Sequence, residues 1–352
     1  MAENEVDIND FNLDSENTNK TNYPPTEQLV KQGPRSFLNE IRMDNTKRST
    51  AEQCLRKFQL SHLLGLKSIF GSTALRYGST WHKFMEGYYG TIKQVGWGCR
   101  DQAINTAILL GKKEWDGITE KQQYFNDYRT FENCVTSFLQ YIVHFEGDQA
   151  KLVVIATEQT FALPVILETE LELNLFDSLP PIIFTGKLDL QMELDGMQWI
   201  NEFKSTGQAL SIQGNRLYRS NQVIGYTYAG PRILNFNPAG TLVTLHLLTS
   251  RKTKDGTYGK ITIDFARIPQ VFNDDDLSKW KLSFLSTCKK VYHACKDNYF
   301  PCQFDSCFAY NRKCQFYGLC SQDANPMKYA EEIPEGFMQD FWDVENVEGD
   351  VE

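Results

Sequence analysis

Helical spacing up to about residue 146, strand-like texture from 152 to 204, and a return to helices around two further strands predict an α/β or α+β fold. The order is helices, a mainly antiparallel sheet, a helix, a strand and a closing helix. At 352 residues, 41% apolar and 13% aromatic, the chain has material for one large domain or two modest ones.

Residues 1–33 are rich in Asn, Asp, Glu and Thr, lack apolar periodicity and contain Pro24-Pro25, so they read as a disordered acidic arm. The folded body is expected over 34–328. Ser49-Thr50-Ala51-Glu52 matches a capping box, and the helix it opens should carry Cys54, Leu55, Phe58, His62 and Leu66. A second helix is read over Thr80 to Tyr89, with Trp81, Phe84, Met85 and Tyr88 on its apolar side and His82 near its start. Residues 100–146 read as largely helical. Strands are expected at 152–156, 159–163, 169–175, 182–194 and 197–204. Residues 216–230 return to helical spacing, 241–248 and 258–265 read as strands (the latter at an edge), and 277–298 as a helix leading into a cysteine-rich loop. Residues 329–352 form an acidic tail. Its segment Phe337-Met-Gln-Asp-Phe341-Trp342 suits docking to a partner, folding back over a basic surface, or no specific role.

The net charge of −9 is unevenly placed: residues 1–33 carry −5 and residues 331–352 carry −9, which leaves the body at +5. A mildly basic body is compatible with a polyanionic substrate. No apolar run approaches the ~18 residues of a membrane span, and the N-terminus lacks a signal-peptide pattern, so a soluble, cytoplasmic protein without a membrane is expected. Nine cysteines in such a chain argue against a disulfide framework, and five of them lie within residues 295–320. The scattered Cys99, Cys134 and Cys288 read as small buried hydrophobes.

The chemistry centres on Gly186-Lys187-Leu188-Asp189 and Asn201-Glu202-Phe203-Lys204, separated by Asp195-Gly196, a strong two-residue hairpin signal. If those two residues form the turn, positions summing to 391 face each other, which sets Asp189 against Glu202. Like charges directly opposite are destabilising, so a cation between them is expected. Paired oxygen ligands suit Mg²⁺ or Mn²⁺. Lys204 shares the face of Glu202 because side chains alternate along a strand, and it is suited to orient an attacking water or to stabilise charge on phosphorus. By spacing alone, an exposed hairpin with a charged outer face fits equally well.

In company with other residues, this pattern resembles the PD-(D/E)XK nuclease superfamily, in its RecB/AddB-like branch, which includes CRISPR adaptation nucleases. Gly186–Asp189 and Glu202–Lys204 match its Gly-x-x-Asp, hairpin, (Asp/Glu)-x-Lys motif. Gln222-Val-Ile-Gly-Tyr226 matches its helical Gln-x-x-x-Tyr, and Gly78-Ser-Thr-Trp-His82 its preceding histidine. The resemblance implies a restriction-endonuclease-like central mixed sheet flanked by helices. It implies metal ligation by His82, Asp189, Glu202 and the Phe203 carbonyl, catalysis by Lys204, and support from Gln222, Tyr226 and Glu158. Glu168, Glu170 and Glu172 compete with Glu158 for its place.

The cysteines give a second match. In the iron–sulfur members of the branch one cysteine precedes an aromatic, basic run and three close the domain. Cys54-Leu-Arg-Lys-Phe58 and Cys307-x6-Cys314-x5-Cys320 resemble these parts. Four thiolates imply a [4Fe–4S] cluster joining the N- and C-terminal segments, with a Cys₄ zinc site as the rival. The first gap of the trio is wider than the usual two residues, and Cys302 competes with Cys307. Arg56, Lys57, Arg312, Lys313, Tyr310, Phe316 and Tyr317 suit a single-strand groove or a solvated loop alike.

The resemblance implies a metal-dependent DNA exonuclease on single-stranded or frayed ends, in replication, recombination, repair or phage DNA processing. A helicase or recombinase is a fitting partner, and the host cytoplasm the place of a phage protein. The alternatives are a catalytically inactive nuclease-like DNA-binding or recombination accessory protein, or another metallohydrolase using the same carboxylates.

Overall fold

Strand β6 (Ile182–Leu194) is the axis around which the site is built. One of its edges pairs antiparallel with β5 (Leu152–Pro164). The other edge is divided. β1 (Ile41–Met43) runs parallel beside residues 182–184, and β7 (Met197–Thr206) runs antiparallel beside residues 190–194. Between those partners, residues 185–189 have no ladder on that edge among the described residues. β8 (Thr241–Thr249) lies parallel to β7, and β9 (Thr262–Gln270) antiparallel to β8. The result is a six-stranded mixed sheet in the order β1-β6-β7-β8-β9, with β5 joined to β6. Eight of the nine residues of β8 are buried, as befits a strand with neighbours on both sides.

This computed structural model describes residues 36–117, 121–122, 127–234, 237–311, 313–322 and 326–341. The expected acidic arm, Arg312, and Trp342 with the rest of the tail lie outside them.

The helices flank the sheet. The first half of the chain holds α1 (Ser36–Asn39), α2 (Asn45–Gln53), α3 (Leu55–Phe58), α4 (Thr73–Val95), α5 (Arg100–Gly117) and α6 (Phe131–His144). The second holds α7 (Glu170–Phe176), α8 (Leu210–Leu217), α9 (Asn221–Ile233), α10 (Asp274–Lys296) and α11 (Tyr317–Gln322). Two apolar clusters seat them. In one, Trp280, Phe284 and Val291 of α10 meet Ile41, Met43, Phe184 and Ile224. In the other, Trp81, Phe84 and Tyr88 of α4 and Phe138 and Tyr141 of α6 meet Leu190, Met192, Phe203 and Phe265. Each such side chain contributes about 1.5–3 kcal/mol by leaving water.

The hairpin turn is Asp195-Gly196, with φ of +52° and +77°, the left-handed pair that a type I′ turn requires. Pairs from Leu190↔Asn201 to Leu194↔Met197 keep the 391 register. The ladder stops one step short of Asp189 and Glu202. There the Phe203 N–H donates to Asp189 Oδ2 (2.9 Å), so a side chain takes a β7 donor and the two acids are no ladder pair.

Several local readings are corrected. Residues 169–175 form helix α7, not a strand. Thr169 and Glu172 make a true capping box, and the alternating Leu171, Leu173 and Leu175 that suggested a strand are exposed while Glu172 and Phe176 are buried. The Ser49/Glu52 box does not form. Helix α2 starts earlier, capped by Asp44, and Glu52 turns to Arg48 Nε (2.8 Å) and Thr287 Oγ1 (3.0 Å). That helix does not run on to Leu66: it breaks at Cys54, whose backbone is extended, and Leu66 belongs to β2 (Leu66–Ser68). Helix α4 extends well beyond 80–89 at both ends. The two strands expected at 152–156 and 159–163 are one, with a register shift between Val154 and Ala156. Residues 216–230 straddle two helices, broken around Arg219 at φ +62°. The edge strand lies at β9, with only an isolated Lys252↔Tyr258 bridge before it. Short strands β3 (Phe70–Gly71) and β4 (Lys121–Gln122) pair with each other. The tail segment folds back: β10 (Phe337–Gln339) pairs antiparallel with β2, and Phe337 stacks on Phe316.

Candidate active site

Asp189 meets two other acids, one across each edge of β6. Glu202 follows from the hairpin. Glu158 follows from the other ladder, in which Thr157 faces Leu190 and Gln159 faces Leu188, so that Glu158 falls opposite Asp189. That pair is skipped, and Glu158 takes φ of +52°, a left-handed conformation that a glutamate adopts only at a cost. Three carboxylates therefore lie side by side across β5, β6 and β7. Gly186 completes the local shape: a Cβ there would come within 2.7 Å of the Phe161 ring and 3.2 Å of Tyr226 Cε1.

Each acid has a cationic neighbour. His82, from α4, brings Nδ1 to 3.4 Å from Asp189 Oδ2. Lys187 pairs with Glu158, and Lys204 with Glu202 Oε1. Gln222, in the first turn of α9, donates from Nε2 to Glu202 Oε1 (2.8 Å) and lies 3.2 Å from the Tyr226 hydroxyl, its neighbour one turn on. Ser220 caps that helix by accepting from the Val223 N–H (3.3 Å), which aims Gln222 at the sheet. Asp189 is 8% exposed and Glu202 1%.

The electrostatics follow from this crowding. Burial and then the Asp189 charge push the Glu202 carboxyl up to about 7, against the pull of Lys204 and His82. Burial would also raise Asp189, but His82, Lys204 and the Phe203 N–H outweigh it and hold that carboxyl below its ordinary value. Burial and Asp189 raise Glu158 despite Lys187. Burial disfavours charge on His82 and Lys204, yet the acids beside them raise both. Burial, then Glu202 and Asp189, lift the Tyr226 hydroxyl well above its usual range, so it stays protonated.

All seven side chains sequence reasoning singled out here, His82, Glu158, Asp189, Glu202, Lys204, Gln222 and Tyr226, line one cleft of about 990 Å³. Phe203 contributes its N–H, with its ring in the core. The competing Glu168 and Glu172 bind Lys281 instead, at 2.8 and 3.0 Å. Lys187 was read only as part of the Gly-x-x-Asp motif, and its pairing with Glu158 depends on how β5 docks. Two observations bear on metal binding. Donor atoms of His82, Glu158 and Asp189 lie within 4.8 Å of one another. Glu202 Oε2 is buried with no hydrogen-bond partner, an arrangement costly enough to call for a ligand. Carboxylate oxygens with one imidazole suit a hard divalent cation such as Mg²⁺ or Mn²⁺.

A second cavity, of about 160 Å³, is lined by Cys54, Cys302, Cys307, Cys314 and Cys320. Its walls join residues 53–56 to residues 300–306. Gln303 N–H donates to Cys54 Sγ (3.4 Å), Ser306 Oγ to the Gln53 carbonyl (2.9 Å), and Arg56 Nε to the Phe300 carbonyl (3.1 Å). Burial pushes the Cys320 thiol up to about 12, with Cys302 and Cys314 adding to it. Burial, then Cys314, Cys54 and Cys302, raise Cys307. Among the described residues no three of these sulfurs come within 4.8 Å of one another. Cys134, Cys288 and Cys295 are buried in the core and Cys99 is exposed.

The profile of the PD-(D/E)XK nuclease superfamily matches residues 45–321, which takes in the cysteine cavity and all of the cleft's lining but Asp44. The chain belongs to that superfamily. The matched span of this nuclease-superfamily chain holds β5 to β9 and the Asp189, Glu202 and Lys204 set. No curated protein matches the chain. Among the described residues no helix is long and apolar enough to cross a membrane.

Proposed function

We propose that this chain is a Mg²⁺- or Mn²⁺-dependent DNA nuclease that removes nucleotides from single-stranded or frayed ends. The orphaned Glu202 Oε2, in the same cleft as the His82, Glu158 and Asp189 donors, carries the reading. In it, His82, Asp189, Glu202 and the Phe203 carbonyl hold the metal, and Glu158 borders the site. When bound, the cation supplies a water of lowered pKa and neutralises charge on the phosphoryl oxygens.

The chain's own groups do the positioning. Gln222 and Lys204 both engage Glu202 Oε1, which leaves Oε2 unpartnered and able to serve as a ligand were a cation bound. Lys204 keeps its proton and sets an ammonium where charge grows on phosphorus, aligning the attacking water. Tyr226 retains its proton and braces Gln222.

The same reading puts a [4Fe–4S] cluster on Cys54, Cys307, Cys314 and Cys320, which line one cavity, as a clasp between the two ends of the nuclease domain, with a Cys₄ zinc site as the alternative. It suits DNA replication, recombination or repair, including that of a phage, beside a helicase or recombinase. The intact Asp189, Glu202 and Lys204 set speaks against an inactive accessory protein.

The deciding assay incubates the purified chain and a Lys204→Ala variant with single-stranded DNA, duplex DNA and RNA, with and without Mg²⁺ or Mn²⁺. Metal-dependent loss of terminal nucleotides from DNA, abolished in the variant, is expected; no cleavage of any DNA sinks the reading. Anaerobic purification should yield a brown protein with a broad visible absorption, and a colourless protein with stoichiometric zinc refutes the cluster.

A further inference from the structure

The cleft holds more carboxylates than basic groups, and a polyanion entering it needs positive charge that is not already spent. Three of its lysines are committed: Lys83 to Glu86 (2.7 Å), Lys187 to Glu158 and Lys204 to Glu202. Lys57 differs. Its ammonium donates to the neutral Gln53 Oε1 (2.7 Å), and among the described residues no carboxylate lies within ion-pair distance of it. Lys57 is also a side chain that lines both the catalytic cleft and the cysteine cavity.

A polar run leads to it. Asn45, Ser49 and Gln53 repeat every four residues along α2, and all three line the cleft. Residues at that spacing share one helix face. The run starts just after β1, whose end borders the open edge of β6 beside Asp189. From Asn45 to Gln53 the helix rises about 12 Å, the reach of three to four stacked nucleotides. Both side-chain polar atoms of Asn45 are buried without a partner, so this end of the run has unused hydrogen-bonding capacity.

We propose that Lys57 is a positioning residue that anchors a backbone phosphate of the DNA strand a few nucleotides from the scissile bond. Asn45, Ser49 and Gln53 line the intervening path. This rests on the nuclease reading above. A lysine meets phosphate as a compact point charge on a flexible stem, so the anchor is indifferent to base sequence. The break at Cys54 matters here: an extended residue between α2 and α3 ties the anchor's position to the cysteine clasp.

The test compares wild type, Lys57→Gln and Lys57→Arg on single-stranded oligonucleotides of two to twelve nucleotides in Mn²⁺. Cleavage and the salt dependence of strand binding (in Ca²⁺) are both measured. For Lys57→Gln, KM on the longer strands should rise about tenfold with kcat within about twofold, the loss of one charge-assisted contact. The slope of log binding constant against log salt should fall in magnitude by about 0.7. The deficit should grow with strand length, and Lys57→Arg should restore both KM and slope. An unchanged KM and salt slope, a raised KM with an unchanged slope, or a fall confined to kcat overturns the anchor. If the wild type itself neither binds nor cleaves DNA, the nuclease reading has failed; if it does both and only Lys57→Gln is silent, the anchor alone has failed.

Discussion

Replacing Asp189 by Asn removes one charge from the acidic row while keeping its shape and an acceptor for the Phe203 N–H (2.9 Å). In wild type, donor oxygens of Glu158 and Asp189 lie within 4.8 Å of each other. At an effective dielectric of about 20 this repulsion is worth roughly 3 kcal/mol. The attraction of His82 and Lys204 and the Phe203 N–H outweigh burial and hold the Asp189 carboxyl below its ordinary value, so its charge is a net stabiliser of the fold that the substitution deletes. Without metal, Asp189→Asn should therefore melt below the wild-type temperature. With Mg²⁺ or Mn²⁺ the gap should widen. At ten times its dissociation constant a single bound ion stabilises by about 1.4 kcal/mol, or about 2–4 °C for a body of this size. The variant should lack that shift. Cleavage should fall by about a thousandfold, the equivalent of about 4 kcal/mol of transition-state stabilisation. Scanning calorimetry with and without metal, beside a single-turnover cleavage assay, reads both effects. A variant that keeps a tenth of the activity and the full metal-dependent shift refutes the assignment of Asp189 as a ligand.

Two predictions concern the fold that holds the site. Burial pushes the Glu172 carboxyl up, but the Glu168 N–H, Lys281 and the Thr169 N–H outweigh it and hold it below its ordinary value. A depressed carboxylate contributes stability that is complete above its unfolded pKa of about 4.3 and is lost as pH falls through the folded value. Glu172→Gln should thus flatten the fall in urea midpoint between about pH 5 and 3; an unaltered pH profile counts against the buried Lys281 pair. Gly225→Ala would place a Cβ 2.7 Å from Trp280 Cζ2 and 3.1 Å from Phe184 Cζ, where α9 meets α10 and the sheet. The overpacking cost of about 1–3 kcal/mol exceeds the ~1 kcal/mol gain in helix propensity, so the melting temperature should drop by a few degrees, and a rise would show that the α9–α10 contact can yield.

Local chemistry made much of this protein legible in its sequence. Asp195-Gly196 specifies a turn whose φ values and 391 register depend on two residues and their neighbours. The helical spacing of Trp81, Phe84, Met85 and Tyr88 marked the buried face of α4, and Gln222 and Tyr226 were bound to share a helix face. Local pattern misled where two signals competed: the Glu and Leu alternation at 169–175 fits a strand, while the Thr169 and Glu172 cap that defines the helix overlaps it. Tertiary packing decided the rest. That Glu158 lies opposite Asp189 depends on the β5 register shift, which arises in a strand pairing no local rule predicts. The open edge of β6 exists because β1 and β7 each cover only part of it. The convergence of Cys54 with four cysteines some 250 residues later, and the lack of a carboxylate beside Lys57 among the described residues, likewise depend on how distant segments meet. The sequence by itself determined the turn, the helix faces and the kinds of side chain available for chemistry, because those follow from bonds and neighbours a few residues apart. Only the tertiary structure decided which acids crowd, which cleft lysines pair with a carboxylate and where the cleft opens, because these depend on contacts between segments far apart in the chain.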